Sequence, residues 1–190
     1  VIALHISLKL REGWNSCQND DIETCKSSLL GLKWENVVWR GTFYDDSCII
    51  KVYESKTDKV WEGDPSWLDP DIAKTLRKYA KDKGSIIATI TGIKSVRKFK
   101  HWYNRLMKKI SEILGLPYVL TPHSMRRSGL SIMAELGVPL EYAVSDKMPF
   151  GVGWEDLKTA VIFYLRFSKL TKMRIMKLIE ENKKLILSMS

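Results

Sequence analysis

The chain is poor in the residues that staple a fold or ligate a metal. Its three cysteines, Cys17, Cys25 and Cys48, include no CxxC pair, and it has only three histidines in 190 residues. Neither a zinc site nor a disulfide framework is indicated, and a reducing compartment fits best. No run of about 18 uncharged apolar residues occurs, so no transmembrane helix is expected. The opening VIALHISLKL is apolar but runs into REGWNS without a small-residue cleavage site, which argues against a signal peptide. Long Pro/Gly linkers, internal repeats and low-complexity tracts are all missing. The chain opens on Val1 rather than Met, so a preceding segment is expected.

What is present is positive charge. Lys and Arg total 31 against 22 Asp and Glu, a net charge of +9 with a pI near 9.4. Such a surplus favours polyanions, nucleic acid above all, because each neutralised phosphate releases condensed counterions. Apolar residues make up 45% of the chain, enough for one domain with a proper core.

Periodicity predicts a mainly α protein with a small three-stranded antiparallel sheet. Residues 2–11 suit a buried helix, 13–23 a polar loop, and 25–33 a short helix with Leu29, Leu30 and Leu32 turned inward. The β-branched stretches Val37–Phe43 and Cys48–Glu54 predict a hairpin around Tyr44–Ser47, with a third strand near Lys59–Trp61 after a turn at Ser55–Asp58. Pro70 suits a helix start, with Ile72, Leu76, Tyr79 and Ala80 at helical spacing and Gly84 as its stop. Further helices are predicted around Leu106–Leu114, ending at Gly115, and over His123–Leu136, closed by Gly137. Two more are predicted over 155–169 and 170–189, the last with an apolar stripe from Ile175 to Met189.

The segment Thr121-Pro122-His123-Ser124-Met125-Arg126-Arg127-Ser128-Gly129 carries the most chemistry. His123 and Arg126 lie three apart at a helix start, so both side chains can face one point. The helix N-terminus adds free N–H groups and partial positive charge, and a guanidinium can hold two phosphate oxygens. Alone, an HxxR pair is common by chance, and His123 can simply cap its helix.

Other residues extend the pattern. Lys56 sits in a tight turn, Gly153-Trp154 follows downstream, and Tyr164 comes ten residues after Trp154 in Phe163-Tyr164-Leu165-Arg166. A lysine in a hairpin, HxxR, GW and a tyrosine in YLR, in that order, resemble the catalytic domain of the tyrosine recombinase (phage integrase) family. Leu29-Leu30-Gly31-Leu32-Lys33-Trp34 is similar to the family's segment after its first catalytic arginine. The resemblance spans roughly residues 20–168, and the GW and YLR variants look more like recombinases of eukaryotic mobile elements and their viruses.

The resemblance implies that Tyr164 attacks the scissile phosphate, forming a 3′-phosphotyrosyl intermediate without metal or cofactor. It implies that Arg126 and His123 hold the non-bridging oxygens and that Lys56 protonates the leaving 5′ oxygen. Trp154 would pack on the site and hydrogen-bond a phosphate oxygen. The bland alternatives are a solvated turn lysine, a core tryptophan and a buried helix tyrosine. Residues 1–169 would form the catalytic domain, and 170–190 a C-terminal helix that docks on a neighbouring subunit or packs back on its own domain. The partners implied are double-stranded DNA and further copies of the chain in a tetramer, with no membrane. The location implied is intracellular, with the DNA: the nucleus in a eukaryote, the cytoplasm in a prokaryote or virus.

One position departs from the pattern. The family's first arginine is matched by Cys25 without gaps, with Lys26 beside it, or by Gln18 in a looser match. Arg11 serves only if residues are inserted after it. An alternative from another class follows: a DNA-binding protein of the same fold with impaired chemistry, serving an architectural or chromosome-attachment role.

Overall fold

Where the chain changes conformation, a named backbone or side-chain group causes it. The structure, a computed structural model, describes residues 1–40, 47–56 and 58–138. It opens on α1 (Ile2–Ser7), shorter than the expected 2–11, because Lys9 turns left-handed at φ 49°. Leu4, Leu8 and Leu10 still reach the core. No helix forms over 25–33. The amides of Leu29 and Leu30 donate instead to the carbonyls of Arg11 and Glu12 (3.0 and 3.2 Å), which denies them to an i−4 ladder. The inward placing of Leu29, Leu30 and Leu32 holds, since all three are buried.

The sheet is as expected in kind: β1 (Val37–Arg40), β2 (Ser47–Glu54) and β3 (Lys59–Gly63) pair antiparallel in that order. Val38 faces Ile49 and Val52 faces Trp61 across the ladders. With a side-chain period of two, Cys48, Ile50, Val52 and Glu54 share the inner face of β2, and all four are buried. A carboxylate thus ends an otherwise apolar row, next to the turn that carries exposed Lys56.

Four α-helices follow among the described residues: α2 (Asp71–Tyr79), α3 (Ile86–Thr91), α4 (Val96–Ile113) and α5 (Pro122–Glu135). α2 stops well short of Gly84 because Ala80 swings to extended backbone, at ψ 138°. α3 escaped the sequence reading, although Ser85 caps it by accepting from the Ala88 amide (3.1 Å) and Gly92 ends it at φ 70°. α5 starts on a capping box in which Thr121 and Ser124 exchange side-chain and backbone hydrogen bonds. Phe99, Tyr103 and Met107 of α4 join the leucines of the N-terminal segment in one core.

The cysteine expectation is corrected. Cys17 and Cys25 are joined in a disulfide, because the chain doubles back between them. The Asp21 amide and the Thr24 hydroxyl both donate to the Gln18 carbonyl (3.0 and 2.7 Å), and the two Cα atoms end 3.9 Å apart. Cys48 is a free thiol on the buried face of β2, and burial pushes its pKa up to about 12. Among the described residues no helix is long and apolar enough to cross a membrane, and no cluster of metal-ligating side chains occurs. Trp154, Tyr164, the hairpin tip and the helices expected over 155–169 and 170–189 lie outside the described residues.

Candidate functional site

Arg126 is the pivot. It lies on α5 one turn before Gly129, where α5 crosses α1 so closely that an added Cβ would sit 2.4 Å from the Ile6 carbonyl oxygen. Only glycine permits that approach, and it holds α5, with buried Arg126, close enough to α1 for Arg126 to sense the charges of Lys9, Arg11 and Glu12. Burial pulls the Arg126 pKa down to about 10. The positive charge of Arg11 adds to the shift, while Glu54 and Glu12 oppose it. The guanidinium remains charged at neutral pH.

Glu54 gathers the neighbouring groups. Its carboxylate accepts from the Ser28 hydroxyl (2.9 Å) and lies 3.7 Å from Arg11 Nε. The Ser28 amide donates to the Tyr53 carbonyl (2.8 Å), and the Ser55 amide donates to Ser27 Oγ (2.9 Å). The turn holding Lys56 is therefore tied to Ser27 and Ser28, and the next two residues, Leu29 and Leu30, are tied through their amides to Arg11 and Glu12. These residues surround a cleft of about 360 Å³ lined by Arg11, Glu12, Trp14, Ser28, Glu54 and Lys56, among others.

His123 is exposed at the second position of α5. Partial burial, first, and then Arg127 hold its imidazole below its ordinary pKa, with Glu12 opposing and Arg126 and Arg11 contributing further. His123 and Arg126 thus both lie within electrostatic reach of Arg11 and Glu12. Behind them stand two buried bases. Lys9 lies over the Trp67 ring, 5.4 Å from its centroid, and burial and then Arg126 push its pKa far down. His5 is neutral at pH 7: burial above all lowers its pKa to about 4. Its Nε2 must carry the proton donated to the Leu10 carbonyl (2.9 Å), so Nδ1 accepts from the Tyr103 hydroxyl (2.6 Å).

The four candidates for the missing arginine separate cleanly. Cys25 is buried and disulfide-bonded. Gln18 and Lys26 are exposed and, with Cys25, line a different cleft of about 440 Å³. Arg11 alone among them pairs with Glu54, lines the cleft with Lys56 and lies within electrostatic reach of Arg126. Sequence matching left Arg11 as one of four candidates and missed Glu54 and Ser28, because their meeting depends on the turn over residues 8–13 and on the pleat of β2. One signal was readable: a glutamate on the inward register of an apolar strand must find a cation or a donor. Chemically, the cations of the cleft are the Arg11 guanidinium, paired with Glu54, and Lys56 on a turn at the rim, groups that can hold an anion such as phosphate beside the carboxylates of Glu12 and Glu54. No protein-family model, curated protein or solved structure matches the chain.

Proposed function

We propose that this chain is the catalytic domain of a DNA strand transferase of the tyrosine-recombinase type. The observation that supports the reading is that Arg11, Glu54 and Lys56 line one cleft, while Arg126 and His123 on α5, outside that lining, lie within electrostatic reach of Arg11 and Glu12. Arg126 and Arg11 hold the non-bridging oxygens of the scissile phosphate, and Glu54 fixes Arg11. His123 donates a further hydrogen bond. The Tyr164 oxygen, its hydroxyl proton released to solvent, attacks phosphorus; the bond from phosphorus to the 5′ oxygen breaks as Lys56 gives that oxygen a proton, and the chain is left joined to the 3′ phosphate. Attack by a 5′ hydroxyl reverses the steps, so bond energy is conserved through the exchange. Trp154 closes the site by donating its indole N–H to a phosphate oxygen. The reaction draws on several copies of the chain assembled on double-stranded DNA, in a tetramer.

A second reading has one observation in its favour: the position matched to the family's first arginine is Cys25, locked in a disulfide. On that reading the domain binds DNA without cutting it. The test is incubation with a nicked suicide duplex, followed by a denaturing gel, with Tyr164→Phe alongside. A covalent adduct that disappears in Tyr164→Phe is the result expected. Salt-sensitive binding with no adduct supports the second reading.

A further inference from the structure

From Lys83 to Ser111 the chain carries eight of its 31 Lys and Arg and none of its 22 Asp and Glu, which leaves the rest of the chain almost neutral at +1 of the total +9. Most of this charge lies on α4. Phe99, Tyr103, Met107 and Ser111, at i, i+4, i+8 and i+12, form the buried stripe of that helix. Arg97, His101, Arg105 and Lys108 form the opposite, exposed stripe, flanked by exposed Lys98 and Lys109. At 1.5 Å per residue, the stripe from Arg97 to Lys109 is about 18 Å long.

Helix stability alone does not select this arrangement. The first turn of α4 holds no acidic residue, and its last turn holds no basic one, the reverse of what the helix dipole favours. Arg97 and Lys98 stand at the positive end. Like charges lie at i, i+4 in Arg105 and Lys109 and at i, i+3 in Arg97 and Lys100 and in Arg105 and Lys108, pairings that weaken an isolated helix. Glu112, 4.0 Å from Lys108, is the first acidic residue along the helix. The helix is also fixed relative to the cleft. Trp14, on the cleft wall, packs against Phe99 at 5.9 Å between ring centroids, and Asp20 accepts from Ser95 Oγ (2.6 Å) and the Arg97 amide (2.8 Å).

We infer that the exposed face of α4 is a docking ridge for the phosphate backbone of duplex DNA. The stripe carries no Trp, Phe or Leu to sink into a bilayer, as a helix lying on a membrane would need. A row of cations with no apolar anchor suits a polyanion of regular charge spacing. The inference rests on the strand-transfer reading only in taking DNA as that polyanion.

The test compares two triple variants with the same change in net charge. Arg97→Gln/Arg105→Gln/Lys108→Gln removes the ridge, and Lys74→Gln/Lys78→Gln/Lys81→Gln removes exposed charge from α2 and the turn after it. Binding to a short random-sequence duplex is measured from about 50 to 200 mM salt, where each lost phosphate contact lowers the slope of log K against log salt by about 0.9. The ridge variant should lose roughly 2–3 from that slope and the control less than about 1. An Arg97→Lys/Arg105→Lys variant should keep the full slope, which excludes a folding defect. Equal losses in both triples, or no loss in the ridge variant, overturn the inference. So does a ridge variant that loses binding to phosphatidylserine vesicles while its DNA slope is unchanged. The slope is read without strand cleavage, so a missing covalent adduct with an intact ridge effect refutes the strand-transfer reading and leaves the ridge standing.

Discussion

Gly129→Ala is a sign test of how α5 is placed. On an open helix surface the change should stabilise, since alanine gains up to about 1 kcal/mol over glycine in a helix interior. Here the new methyl group would meet the Ile6 carbonyl oxygen at 2.4 Å and the Lys9 Cγ at 2.5 Å. The first obstacle is backbone, so it cannot rotate away; α1 and α5 must part by the better part of an ångström. Overpacking of this kind costs about 1–3 kcal/mol, and the upper part applies where backbone must move. After the propensity gain is set against it, the net loss is about 1–2 kcal/mol, a fall of roughly 2–8 °C in Tm for a chain of this size. Urea denaturation should show a lower midpoint with an unchanged m-value. Because Arg126 sits one turn away, DNA affinity should fall as well. A variant as stable as the parent or more so would refute the close approach, and with it the account of how Arg126 reaches Arg11.

Two further outcomes follow from buried groups elsewhere. His5 is buried and its pKa is lowered from 6.5 to about 4. The unfolded chain therefore takes up a proton between those values that the folded chain refuses, and stability rises with pH across that window. Acidification from pH 6.5 to about 4 should cost about 3 kcal/mol through this group, a slope that His5→Gln should remove from the pH dependence of the urea midpoint. Cys17 and Cys25 are eight residues apart, so reduction by a dithiol should cost about 2–3 kcal/mol through the released entropy of the unfolded chain. A urea midpoint that reductant leaves unchanged would contradict that.

Much of the fold was legible because it depends on local periodicity. The alternation Cys48-Ile50-Val52 marked β2, the spacing of Leu106 and Ile110 marked α4, and Gly137 marked the end of α5. Where prediction failed, distant partners had outbid local preference. The leucines of 25–33 have helical composition, but Arg11 and Glu12 claim their amides. The disulfide was illegible because two cysteines eight apart can pair only if the chain reverses, and that reversal rests on hydrogen bonds to the Gln18 carbonyl. The candidate site shows the same division. His123 and Arg126 were readable as one motif on one helix. Arg11 was readable only as one of four candidates, and its pairing with Glu54 was not readable, because a turn far along the chain from β2 brings them together.

The central claim is that Arg11, rather than the residues at 18–26, completes the phosphate site with Arg126. The rate of covalent adduct formation on a nicked duplex, compared for the parent, Arg11→Gln, Gln18→Ala and Lys26→Gln, tests it most directly. Losing one transition-state donor costs about 2.7–4 kcal/mol, so Arg11→Gln should slow the adduct a hundredfold or more. Gln18→Ala and Lys26→Gln, which alter the other cleft, should stay within about twofold of the parent, as changes away from the reacting phosphate do. A fast Arg11→Gln beside a slow Lys26→Gln would contradict the account and move the site to the cleft lined by Gln18 and Lys26.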